Sequence, residues 1–152
     1  MTLATTLTRI TDTIGAVAGI TDGDGVVHNR IRTGIEMALS EAYYLGAVGI
    51  NAWEVNLDPE AQLGGADGYQ HTEASCEVLA HYFASDSDDS RQTFMLLLSA
   101  VQTALLTPAN LPQVTAQGIR LAEAPTRPVR LPTGQAAYRA RIRFRLWDTS
   151  NT

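Results

Sequence analysis

Arg139, Arg141, Arg143 and Arg145 alternate with Tyr138, Ala140, Ile142, Phe144 and Leu146. That two-residue period is a strand with four guanidiniums on one face and apolar side chains on the other. The strand rise sets successive arginines about 6.6–6.8 Å apart, so they repel one another and acids must sit nearby. Three uses of such a face are open. It is a solvated sheet face, answered across the ladder by Glu73, Glu77 and Glu54 at about 0.2–1 kcal/mol per cross-strand pair. It is a contact between subunits, in which arginine forks bridge a neighbour's carboxylates, with Asp86, Asp88 and Asp89 as the acids a second copy would bring. Or it is a nucleic-acid-binding face, which would lack stacking rings because Tyr138 and Phe144 alternate onto the apolar side.

Other residue types with chemical potential do not converge. His28, His71 and His81 have no partners at metal-ligand spacing, and a zinc site needs three or four. Asp22 and Asp24 with Gly23 and Gly25 resemble part of a calcium loop but lack its later oxygen ligands and closing glutamate; a turn is expected. Gly15, Gly19, Gly23 and Gly25 match no phosphate-binding fingerprint, and no serine sits in a nucleophile elbow. Cys76, the one cysteine, alternates onto an apolar face, excludes an internal disulfide, and reads as a small buried hydrophobe. No catalytic constellation and no cofactor site is expected.

The whole chain is acidic at −5, yet all eleven basic residues are arginine and none is lysine. Residues 1–100 hold four arginines and fourteen acids, a balance of −10; residues 101–152 hold seven arginines and two acids, +5. Such poles suit internal pairing or an oriented surface and argue against a whole-protein nucleic-acid binder, which is normally basic throughout. With 152 residues, 45% hydrophobic and 18% charged, one globular domain over residues 1–152 is expected. Apolar runs are far short of the roughly 20 residues that span a bilayer. The first residues carry no basic region before an apolar stretch, so no signal peptide is expected.

The elements that would position these residues follow from periodicity. Leu3, Leu7, Ile10, Ile14 and Val17 predict an amphipathic helix over 3–17. Val26 to His28 predicts a short strand. Thr33 caps a helix through Leu45, ended by Gly46 and Gly49. Residues 50–57 and 70–83 alternate as strands, with Trp53, Val55, Leu57, Cys76 and Val78 on apolar faces. Phe94, Leu97, Leu98, Val101 and Leu105 predict a long helix ending at 106, closed by Pro108 and Pro112. Residues 114–122 predict a weak strand, and Pro125, Pro128, Pro132 and Gly134 an irregular connection. The class is α+β: a mostly antiparallel sheet with two to three helices packed on one face. The expected core is Trp53, Val78, Phe94, Leu98, Val101, Ile142 and Phe144.

Several blocks carry a resemblance: Val27-His28-Asn29-Arg30-Ile31-Arg32, Gly49-Ile50-Asn51-Ala52-Trp53-Glu54-Val55, His81-Tyr82-Phe83 before the helix of Phe94, Leu97 and Val101, and the final arginine-rich strand. In that order they resemble the tail terminator proteins of tailed phages, also called tail completion or neck proteins. Val27-His28-x-Arg30 and Ile50-Asn51-x-Trp53 are the most specific of these motifs. The helix from Thr33 to Leu45 departs from the simplest members and leaves a neighbouring neck component as an alternative. The resemblance implies an α+β fold and a structural role in the virion, assembled in the host cytoplasm. Copies form a ring, usually a homohexamer, that caps the tail tube and meets the head-side connector or stopper. DNA passes through the lumen without sequence-specific binding, and neither a cofactor nor a membrane is involved.

Overall fold

A computed structural model describes residues 3–20, 26–31, 45–46, 49–57, 73–85, 89–112, 114–131 and 134–148. Helix α1 spans Leu3–Gly15 and helix α2 Asp89–Leu106. The strands are β1 (Val26–Ile31), β2 (Leu45–Gly46), β3 (Gly49–Leu57), β4 (Glu73–Phe83), β5 (Val114–Glu123), β6 (Pro128–Arg130) and β7 (Ala136–Asp148). They form one sheet in the order β1-β3-β4-β7-β5, with β2 joined to β3 and β6 to β7. The β1–β3 pair is parallel and every other pair is antiparallel. The fold is therefore α+β, as the alternating and 3.6-residue patterns require.

One sheet face carries the core. Leu7, Ile10 and Ile14 of α1 and Phe94, Leu97, Leu98, Val101 and Leu105 of α2 pack with Trp53, Val55, Val78, Ala140, Ile142 and Phe144 in a single buried cluster. All seven expected core residues belong to it. Phe94 is its hub: its ring stacks on Tyr82 at 5.5 Å and meets Trp53 edge-on at 6.0 Å. Cys76 is buried there and forms no disulfide. Trp53 is fully enclosed, and its indole N–H donates to Asn51 Oδ1. A buried tryptophan without such an acceptor would leave a costly unsatisfied donor.

The opposite face grades from apolar to basic. At one end Ile50, Ala52, Leu131, Ala137 and Phe83 form a second, small cluster. Beyond it the face turns polar along β4 and β7. No helix among the described residues is long and apolar enough to cross a membrane.

Some expectations change. Leu45 is not the last residue of a helix: with Gly46 it pairs antiparallel to Ile50 and Gly49, and the rest of the expected helix from Thr33 lies outside the described residues. The first helix ends at Gly15, two residues early. The connection after Pro125 contains β6, whose Pro128, Val129 and Arg130 oppose Tyr138, Ala137 and Ala136. Proline is tolerated as the first residue of a strand, where no ladder donor is required of it. His71 and the Asp22–Gly25 turn lie outside the described residues.

Candidate functional site

The site is built on β7, which lies between β4 and β5. Its odd-numbered residues all face away from the helices. The β4 register sets Glu77 opposite Arg143, Leu79 opposite Arg141 and His81 opposite Arg139. On the other side, β5 sets Glu123 opposite Arg141, Arg120 opposite Arg143 and Gln117 opposite Arg145.

Two irregularities in β5 create that arrangement. Between Gln117 and Arg120 the strand advances three residues while β7 advances two, and between Leu121 and Glu123 it advances two while β7 advances one. Each is a bulge of one extra residue, which flips the side-chain phase. At the first, Gly118 adopts φ +64°, a left-handed conformation that costs glycine nothing. The bulges let Ile119 and Leu121 pack on the core while Arg120 and Glu123 join the arginine face.

The result is a five-member chain of ion pairs. Arg139 Nε donates to Glu123 Oε1 at 2.9 Å, and Arg141 Nε to Glu123 Oε2 at 2.8 Å. Arg141 Nη1 donates to Glu77 Oε1 and Arg143 Nε to Glu77 Oε2, both at 2.8 Å. Each carboxylate bridges two guanidiniums, and Arg141 links the two carboxylates. Glu77 is the enclosed member, its side chain 8% exposed, whereas Arg143 is 50% exposed. Burial raises the Glu123 carboxyl, but hydrogen bonds from Arg139 and Arg141 outweigh it and the net shift is downward. Burial likewise works against the Arg141 charge, and the Glu123 hydrogen bond and Glu77 charge more than offset it, so its pKa rises.

His81 sits beside this ladder and is buried. Burial first, and the positive Arg139 next, lower its pKa from 6.5 to about 4 against the opposing pull of Glu54. The imidazole is neutral at pH 7. Glu54 is fully buried one strand further on, opposite Leu79 of β4 and His28 of β1.

The expected acids are therefore only partly the observed ones. Glu77 answers the arginines as expected. Glu123 was not among the expected acids, and Glu54 lies a strand too far from β7 to stand opposite an arginine. Of the second copy's expected acids, Asp86 and Asp88 lie outside the described residues. Asp89 opens α2 on the helix side of the sheet, so a single chain does not bring it to the arginine face. Arg139, Arg141 and Arg143 receive their carboxylates from their own chain.

Beyond Glu77 the face opens into a groove of about 530 Å³, lined by Asn56, Ser75, Glu77, Gln117, Arg120, Arg143 and Arg145 among others. No cluster of three or more metal-ligating side chains occurs among the described residues. Set against known proteins, the chain matches no family model, and no curated protein matches its sequence.

Proposed function

We propose that this chain is a structural neck component of a tailed phage, of the tail-terminator kind. Copies close into a ring, most simply of six, that caps the tail tube, meets the head-side connector or stopper, and lets DNA pass through its lumen. The order of elements and the quoted motifs support this reading. The observation that carries it is the outer face of α2. Met95, Leu96 and Leu106 are 38%, 72% and 57% exposed there, and no charged residue occurs from Gln92 to Ile119. An uncharged helix face with exposed large apolar groups suits contact with another protein surface better than water. The nucleic-acid alternative draws less support, because three of the four arginines that would track phosphates already hold carboxylates.

The test pairs assembly with location. Mass measured in solution over a range of concentrations, with and without tail tubes, should show a ring on the tube end. Leu96→Glu with Leu106→Glu should abolish it without lowering the melt. In virions the chain should occupy the head-proximal end of the tail. Finding it along the whole tube, or finding rings unaffected by both glutamates, would overturn the reading.

A further inference from the structure

We infer that the outer face of α2 pairs with the same face of a second copy of this chain, the two helices running antiparallel. Gln92, Leu96, Ser99, Thr103 and Leu106 follow one another at spacings of four, three, four and three residues, the seam period of two helices that wind together. All five lie on the side away from the core. Leu96 is 72% and Leu106 57% exposed, and Gln92, Ser99 and Thr103 are exposed beside them. Phe94, Leu97, Leu98, Val101 and Leu105 pack into the core from the opposite side of the helix. The helix thus carries two stripes, one satisfied inside the chain and one that fits another helix. On α1 the exposed positions include Thr5, Thr8 and Asp12 instead.

The occupant follows from the symmetry of the seam. Laid antiparallel on itself, it sets Leu96 over Leu106 of the second copy and Ser99 over Thr103, and the two-fold axis repeats both layers. Leucine therefore meets leucine at each end and hydroxyl meets hydroxyl in the middle, with no apolar group set against a polar one. No charged residue occurs from Gln92 to Ile119, so nothing in the seam repels its own copy. Antiparallel helices also place the positive N-terminal end of each dipole beside the negative end of the other. The 18 residues of α2 make a strip about 27 Å long and about 10 Å wide. That falls well under the roughly 600 Å² per partner of a stable complex, so the pair is weak and reversible. The inference rests on the surface used in the proposed function and names what covers it before a tail tube is met. Pairing and capping compete for one face, and the free chain is held as a dimer until the tube end displaces the second copy.

The experiment uses the full chain without tail tubes. Mass measured by sedimentation from about 1 μM to about 1 mM should climb from monomer to dimer and stop there, the range of so small a contact. Leu96→Glu should keep the chain monomeric throughout, with an unchanged melt of the dilute protein. Direction is read by oxidising cysteine variants. An equimolar mixture of Leu96→Cys and Leu106→Cys should give the crossed disulfide dimer. Either variant alone should give little, because its two thiols lie about 15 Å apart along the seam, beyond the roughly 4.4–6.8 Å between the Cα atoms of a disulfide. Cys76 is buried and does not compete. A monomer at every concentration, a mass above dimer, or efficient self-linking of either variant alone would overturn the inference. The proposed function fails separately: a dimer that forms but never caps a tube sinks that reading and leaves the pairing, and tubes capped by a chain that stays monomeric alone do the reverse.

Discussion

The Nε1–H of Trp53 donates to Oδ1 of Asn51, two residues earlier on the same strand, at 2.7 Å. The amide nitrogen of Asn51 then donates to the Gly19 carbonyl at 2.9 Å. One side chain thereby satisfies a buried indole and fastens β3 to the turn after α1. Asn51→Leu keeps the volume and removes both partners. The fully buried indole left alone costs about 1–3 kcal/mol, while the Gly19 carbonyl sits on an exposed turn, so a denaturant melt should show a loss of about 1–3 kcal/mol. A loss below about 1 kcal/mol would mean the indole finds another acceptor.

Phe94 touches both Tyr82 and Trp53 and is fully buried. Phe94→Ala should cost about 3–5 kcal/mol by loss of transfer energy and the cavity left behind. Phe144→Ala, at the sheet end of the same cluster, should fall in the same range. Phe94→Leu should recover much of the loss. Equal melts for alanine and leucine at residue 94 would refute the packing argument.

Gly19 has φ +90°, and a Cβ there would come within 3.1 Å of Leu97 Cδ2. Gly19→Ala adds backbone strain of about 1–3 kcal/mol to that tight contact. The strain stays whichever way Leu97 moves. The double variant with Leu97→Ala should therefore remain strained at residue 19, and a cycle of the two mutations measures how much of the cost is the clash.

Glu77 and Glu123 each bridge two arginines but differ in enclosure. Glu77→Gln withdraws a buried carboxylate from Arg141 and Arg143 and should cost about 2 kcal/mol or more. Glu123→Gln acts on partly exposed pairs and should cost about 1 kcal/mol or less, falling further with added salt. If these substitutions leave the monomer melt untouched but disrupt assembly, the arginine face serves contacts between copies instead.

His81 sets an acid limit on stability. Its pKa is about 4 in the fold and 6.5 as an ordinary histidine, so below pH 6.5 the unfolded chain binds the proton first. Stability is full above pH 6.5 and falls by about 1.4 kcal/mol per pH unit on the way down to pH 4. Glu123 acts lower: its carboxyl is depressed from 4.5, so its contribution fades only below that pH. Comparing urea midpoints of the parent and His81→Gln from pH 7 to pH 4 isolates the histidine. Parallel curves would contradict the assigned burial effect.

Residues with an unbroken period were legible in the sequence, and those depending on a phase change were not. The alternation of β7 and the stripe from Phe94 to Leu105 point unambiguously inward, and the structure agrees. Glu123 was missed because two extra residues in β5 shift its register, setting it opposite Arg141 where an unbroken count from Gln117 sets it opposite Arg139. The same irregularity hid Arg120. Leu45 ended a plausible helical stripe, yet its partner is Ile50, five residues on, and a two-residue strand leaves almost no periodic signal. The Asn51 amide could be placed on the apolar face by counting, but its carbonyl partner at Gly19 is thirty-two residues away and no local rule reaches it.

β5 also looks like an edited strand. If Gly118 and Ala122 were cut out, Gln117, Ile119, Arg120, Leu121 and Glu123 would run as an ordinary alternating strand against Arg145, Phe144, Arg143, Ile142 and Arg141 with no partner changed. The two small residues therefore add nothing to pairing inside the chain; what they alter is the outer border of the sheet. An uninterrupted border is a straight row of donors and acceptors that a second molecule can zip onto, whereas bulges twist and break that row. Shortening the strand by these two residues would keep its register and turn a guarded margin into an adhesive one, with fibrils or precipitate as the visible cost.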